Sequence, residues 1–270
     1  MHDSVGVERR CRALYVHGGC SVGALGLLSV GRCTLTGMGV GGFRTWSGIG
    51  GAALDLVLPR ECGGCGRIGV QWCEGCVALL RDHPIRLTPR VDPGVPAWAL
   101  GPYSGPRRRS VIEIKERGRR DLAAPLGDAV AEALTHLVRW GELRHPVRRP
   151  LVLIPAPSRS RAARSRGGDP VRRIAHAARA VLPWQLVEIH SALAMTRGVR
   201  DSVGLSAAAR AVNVAEKIVV TRAGAGLVDR DVDVVLLDDV LTTGATAAES
   251  IRALARIGIR TNLVLVIAGV

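Results

Sequence analysis

Aromatic side chains are scarce, at 3% of the 270 residues with a single Phe. Hydrophobic residues still reach 47%, so a core has to be assembled mainly from Val, Leu, Ile and Ala, and a disordered polymer is disfavoured. The same scarcity argues against a surface dedicated to stacking nucleic-acid bases. Long apolar runs are missing too. None approaches the roughly 18 residues needed to cross a bilayer, which speaks against membrane insertion. Acidic residues are outnumbered, 23 against 37 basic ones, for a net charge of +14. The excess is mostly arginine, and it favours an anionic partner: a phosphorylated metabolite, nucleic acid or an acidic membrane surface. A GC-rich genome produces the same arginine bias, so charge alone does not choose.

The chain divides by composition. Residues 1–50 are Gly-rich, carry Cys11, Cys20 and Cys33, and show no helical or strand period. They read either as a disordered extension or, the preferred reading, as sequence ahead of a true start at Met38 or a nearby codon. Leu14 to Val30 imitates a signal peptide, but its glycines and His17 argue against one. Residues 51–82 hold a cysteine cluster. Residues 83–109, rich in Pro and Gly, read as a connector with a strand near Ala97 to Leu100.

Residues 110–270 alternate apolar strands with amphipathic helices, which predicts an α/β domain: an open parallel sheet covered by helices on both faces. A helix is expected from about Asp121 to Trp140, with Pro125 in its first turn. A buried strand is expected at Leu151 to Ile154, and a helix capped by Asp169 with Pro170 behind it. Strand Val232 to Leu237, helix Gly244 to Ile257 and strand Leu263 to Ala268 form a βαβ unit. His83, His136, His145, His176 and His190 share no ligand spacing and read as structural or surface residues.

The chemistry is concentrated between Val234 and Thr246. An apolar strand ends in Asp238 and Asp239, and the segment Thr242, Thr243, Gly244, Ala245, Thr246 then opens onto a helix N-terminus. Free amides and the positive end of the helix dipole attract a phosphate there. Two acceptor-only carboxylates beside a phosphate cradle suit one ligand class, a phosphorylated sugar whose vicinal hydroxyls donate to the acids. Two acids capping a helix after an ordinary strand is the plainer alternative.

Cys62, Cys65, Cys73 and Cys76 form two CxxC pairs seven residues apart. Four thiolates at this spacing suit tetrahedral Zn²⁺ with no open position, hence a structural site, whereas disulfides are disfavoured in a reducing compartment. The chain is therefore expected in the cytoplasm.

The thirteen residues from Val234 to Thr246 resemble the phosphoribosyl-pyrophosphate signature of the type I phosphoribosyltransferases. The order of parts, LVLPRECGGC, WCEGC, a basic helix and then that signature, resembles the ComF family, which includes GntX-type members; the similarity runs from about Leu56 to Val270. Ile114 and Lys115 ahead of Gly118 and Arg119, the run Leu153 to Pro157, and Val203 to Ser206 leading to Arg210 and Asn213 are further echoes.

The resemblance implies a type I phosphoribosyltransferase-like domain preceded by a small zinc module. Asp238 and Asp239 would bind the ribose hydroxyls, Thr242 through Thr246 the 5′-phosphate, and a Mg²⁺ ion would accompany the pyrophosphate through ligand oxygens and water. Pro155 and Ala156, with Ser158, Arg159 and Arg161, are the candidate pyrophosphate loop. Lys115 and Arg119 could reach the same group. Arg197 to Asn213 is the candidate hood, with Arg210 and Asn213 its contacts. The implied activity is phosphoribosyl transfer to an acceptor with release of pyrophosphate. The family's link to competence implies an alternative, DNA uptake or single-stranded DNA handling with the pocket as a sensor. The stretch Arg164 to Pro170 lacks the Phe, Asn and Gln usual in the family after the Pro-x-Pro turn, and Ser202 stands where a Gln is common.

Overall fold

The computed structural model describes residues 60–158, 168–196 and 217–270. Its main sheet contains β1 (Ile85–Leu87), β2 (Ala97–Ala99), β3 (Leu151–Pro155), β4 (Val187–Ile189), β7 (Asp233–Leu241) and β8 (Leu263–Gly269). Their spatial order is β1-β2-β8-β7-β3-β4. The β2-β8, β8-β7, β7-β3 and β3-β4 pairs are parallel, and only β1 runs antiparallel to its neighbour. The short strands β5 (Leu193–Met195) and β6 (Ile218–Val220) form a separate antiparallel pair.

The central strands are apolar at nearly every position because both of their faces are covered. Alternation along each strand sends successive residues to opposite sides. Leu151, Leu153, Val235, Leu237, Leu263, Leu265 and Ile267 enter one core cluster, with Val111, Ile114, Leu126, Leu134 and Ile174. These last residues come from the helices α2 (Gly105–Glu116), α3 (Ala123–Arg139) and α4 (Pro170–Val181). Val152, Ile154, Val234, Leu236, Val264 and Val266 enter the other cluster, with Leu193, Ile218, Leu227, Ala247 and Leu254. That face is closed by the β5-β6 pair, by the short helix α5 (Arg222–Ala225) with the turn after it, and by α6 (Ala245–Ala255). The α/β class and the two-sided cover expected from sequence are thus present. Each fully buried Leu or Val contributes about 1.5–3 kcal/mol of transfer free energy.

Helix starts follow their local chemistry. Asp169 Oδ1 accepts from the Arg172 amide at 3.1 Å, and Pro170 occupies the first turn of α4, where its missing N–H costs nothing. Pro125 lies in the first turn of α3. Helices α3 and α4 pack almost backbone to backbone at Gly127, where an added Cβ would fall 2.4 Å from that of Ala177.

Two features differ from the sequence reading. Strand β7 does not stop at Leu237 but continues through the acid pair to Leu241, because β8 is long enough to pair Asp238 with Val266 and Leu241 with Gly269. The stretch read as a connector holds the strand expected near Ala97, as β2, but also supplies β1 and the start of α2.

At the amino ends of the strands one buried carboxylate is already engaged. Asp233 is 1% exposed; it accepts from the Arg144 amide at 2.8 Å and Asn262 Nδ2 at 3.2 Å and pairs with Arg149 at 3.2 Å. A buried carboxylate satisfied in this way is structural. Open chemistry lies at the other end.

Candidate functional site

Strand β3 ends at Pro155, opposite Leu237, while β7 runs on. Beyond Leu237 the β3 side of β7 is therefore bordered by the turn that follows Pro155. The Ala156 amide donates to the Leu237 carbonyl at 2.7 Å. Pro155 and Ala156 are consequently adjacent to Asp238. Ser158 donates from its hydroxyl to Asp169 Oδ2, which fixes the exit of that turn against the start of α4.

Asp239 is 6% exposed, and Asp238 is half-buried. The Asp239 amide donates to Asp238 Oδ1 at 2.8 Å. Asp239 shares its side of the strand with Leu237, the side covered by α2. From the last turn of that helix, Lys115 Nζ reaches Asp239 Oδ1 at 2.8 Å. Burial, and next the charge of Asp239, push the Asp238 carboxyl up to about 8, against the pull of Lys115. Burial disfavours the Lys115 ammonium, but Asp239 and then Asp238 outweigh it and raise the group.

Past Leu241 the chain turns through Thr242 and Thr243 to Gly244, which precedes α6 with φ +88°. That left-handed conformation favours glycine. Space demands it as well: a Cβ at Gly244 would lie 2.3 Å from the Val91 carbonyl oxygen. The Val91 amide in turn donates to the Thr243 carbonyl at 2.8 Å. Thr242 is exposed, Thr243 and Thr246 are half-buried, and Ala245 is buried. Thr243 Oγ1 accepts a long bond, 3.4 Å, from the Ala245 amide. The first-turn amides of α6 point out of the helix beside these hydroxyls, the arrangement an anion uses.

Asp238, Asp239, Lys115, Pro155, Ala156 and the segment Thr242 to Thr246 are thus gathered at the carboxyl ends of β3 and β7, where open α/β sheets bind ligands. Pro89 and Val91, which brace Gly244, were not singled out from sequence; a Pro-rich stretch gives no signal of what it leans on. Arg119 goes elsewhere. It forms a two-pronged pair with Asp121, the closest contact 2.7 Å, and donates to the Glu61 carbonyl at 3.0 Å. Its role is to tie the cysteine module to the helices. Arg159, Arg161, Arg210 and Asn213 lie outside the described residues.

The Sγ atoms of Cys62, Cys65, Cys73 and Cys76 all lie within 4.8 Å of one another. Those of Cys65 and Cys73 are 3.6 Å apart. Thiolates on a tetrahedral zinc at about 2.3 Å define edges of about 3.8 Å, so four such thiols can hold a metal ion such as zinc. Burial works against the Cys62 thiolate, yet the amides of Cys65, Cys73 and Gly64 bring this thiol down to about 6. Cys76 is pushed up by burial and by its neighbouring thiols. The module docks through α1 (Glu74–Leu80), which begins next to Cys73. Arg107 of α2 donates to the Leu79 carbonyl, and Arg109 pairs with Glu61 at 3.1 Å.

No protein-family model matches the chain, and no curated protein matches it significantly. Among the described residues no helix is long and apolar enough to cross a membrane.

Proposed function

We propose that the chain is a ComF-like protein of the type I phosphoribosyltransferase kind, which binds phosphoribosyl pyrophosphate and transfers its phosphoribosyl group to an acceptor with release of pyrophosphate. One observation carries this reading: the acid pair at the end of β7 leads within a few residues to a glycine-started helix, with the Pro155-Ala156 turn and Lys115 on its flanks. The carboxylates would take the ribose diol. The hydroxyls and first-turn amides of Thr242 to Thr246 would take the 5′-phosphate, and the Pro155-Ala156 turn would face the pyrophosphate.

No protein nucleophile is needed. Displacement at the anomeric carbon passes through an oxocarbenium-like state, and rate comes from orienting the leaving group and from fixed dipoles and cations around it. Mg²⁺ would enter with the pyrophosphate, held by ligand oxygens and water. In this reading the cysteine module is a structural Zn²⁺ site and the protein is cytoplasmic. Calorimetry with phosphoribosyl pyrophosphate and Mg²⁺ is the test. Binding in the micromolar range is expected, and absence of binding at millimolar ligand would remove the proposal. Pyrophosphate release on presenting bases and amines then separates a transferase from a sensor.

A second reading, single-stranded DNA handling, gains support from one feature. Trp140, 44% exposed, stacks on His83 with ring planes 13° apart and approaches Trp98 and His136. The exposed Arg139 is its chain neighbour. Bases stack on such rings. If this surface binds DNA, Trp140→Ala weakens binding at physiological salt; affinity confined to low salt and indifferent to Trp140 would reduce it to nonspecific charge.

A further inference from the structure

Of the 37 basic residues, all but two are arginine; the exceptions are Lys115 and Lys217. One of those two lysines carries the ammonium that sits on Asp239. Arginine is a rigid, always-charged fork suited to a fixed carboxylate partner, whereas lysine is a compact charge on a flexible stem that can change partners. In a chain that uses arginine almost everywhere else, a lysine at this position therefore suits a contact that has to be broken and remade. Its surroundings allow movement. The Lys115 side chain is 36% exposed while that of Asp239 is 9% exposed, so the lysine is the less confined of the two partners.

A sugar hydroxyl that approaches Asp239 has to share or displace this ammonium. A neutral hydroxyl donor makes a weaker bond to a carboxylate than an ammonium does, so a bare diol exchanges a charge-assisted contact for a poorer one and leaves the cation without its partner. A ligand that brings its own anion near the sugar gives the cation a new partner within reach of the same stem. The exchange then conserves ion pairing on both sides.

We infer that Lys115 is an exchangeable counter-ion, held by Asp239 in the free protein and passed to the pyrophosphate when the ligand binds, so that the pocket selects a pentose phosphate with an anionic group at C1 over one with a free anomeric hydroxyl. The inference rests on the sugar-phosphate reading and adds the source of its selectivity. Lys115 is a positioning and selecting residue here, with no bond-making role.

The test compares phosphoribosyl pyrophosphate with ribose 5-phosphate, both with Mg²⁺, on wild type and Lys115→Met. The variant is expected to lose about tenfold or more in affinity for the pyrophosphorylated ligand, the scale of one charge-assisted contact, while ribose 5-phosphate binds as before or better. Equal losses for both ligands, or a wild type without preference between them, would overturn the counter-ion role while leaving the sugar-phosphate site standing. A wild type that binds neither ligand overturns the sugar-phosphate reading itself, and this inference with it.

Should Lys115→Met fail to fold, the wild type answers alone. Its ¹⁵N-lysine spectrum holds only two side-chain signals, and Lys217→Arg assigns them. A shift of the Lys115 signal with phosphoribosyl pyrophosphate but not with ribose 5-phosphate is expected, and the same shift with both overturns the exchange.

Discussion

The Ala156 amide donates to the Leu237 carbonyl at 2.7 Å, which joins the last residues of β3 to the residue just before the acid pair. The bond makes the two halves of the candidate site parts of one sheet margin. The turn at Pro155 and the carboxylates of β7 are therefore positioned by backbone pairing and not by flexible side chains.

Replacing both acids, Asp238→Asn with Asp239→Asn, is expected to abolish phosphoribosyl pyrophosphate binding in calorimetry while the circular dichroism spectrum and a cooperative melt persist. A carboxamide turns one acceptor oxygen into a donor at each position, and at Asp239 it also removes the acidic partner of Lys115. Unchanged affinity would refute the role given to the pair.

The titration of Asp238 has a definite sign. Its carboxyl is pushed up to about 8 in the folded protein, against about 3.9 for an unperturbed Asp. The stability it contributes is complete below about pH 4 and is lost as pH climbs through about 8. Wild type should thus lose melting temperature relative to Asp238→Asn between about pH 5 and pH 9. A difference that stays flat with pH, or grows in favour of wild type, contradicts the assignment.

Gly244→Ala is expected to cost about 1–3 kcal/mol in denaturant unfolding, through the left-handed backbone and the collision with the Val91 carbonyl. The same change should weaken ribose 5-phosphate binding, because the Thr243 turn and the first amides of α6 have to shift. Near-wild-type values for both would mean that the turn does not need its present shape.

Cys73→Ser should lower bound zinc from about one equivalent to a small fraction and reduce the melting temperature, since structural zinc affinity is coupled to folding. Elemental analysis of the purified protein and a thermal melt measure the two effects. A variant that keeps full metal content would show that Cys73 is not a ligand.

Much of this architecture was legible in the amino-acid order. The runs Leu151 to Ile154, Val234 to Leu237 and Leu263 to Ala268 announce buried strands because both faces are covered, and the Asp169-Pro170 pair announces a helix start through local hydrogen bonding alone. What escaped depends on partners distant in sequence. The acid pair looks like a strand end, yet pairing with β8 carries β7 on to Leu241. Ala97–Ala99 is too short to declare its place beside β8. Nothing around Lys115 names Asp239 as its partner, and nothing around Val91 says that it props the Thr243 turn. The four thiols, by contrast, were legible because their spacing is local.

Strand β8 comes after every other described strand, yet it stands between β2 and β7 and joins the first-made part of the sheet to the rest. Translation therefore yields β1 and β2 early and leaves their exposed edge waiting until residues 263–269 emerge. Completion of the sheet therefore waits for β8. A chain stalled before Leu263 would present two unmatched sheet margins to chaperones or to other nascent copies.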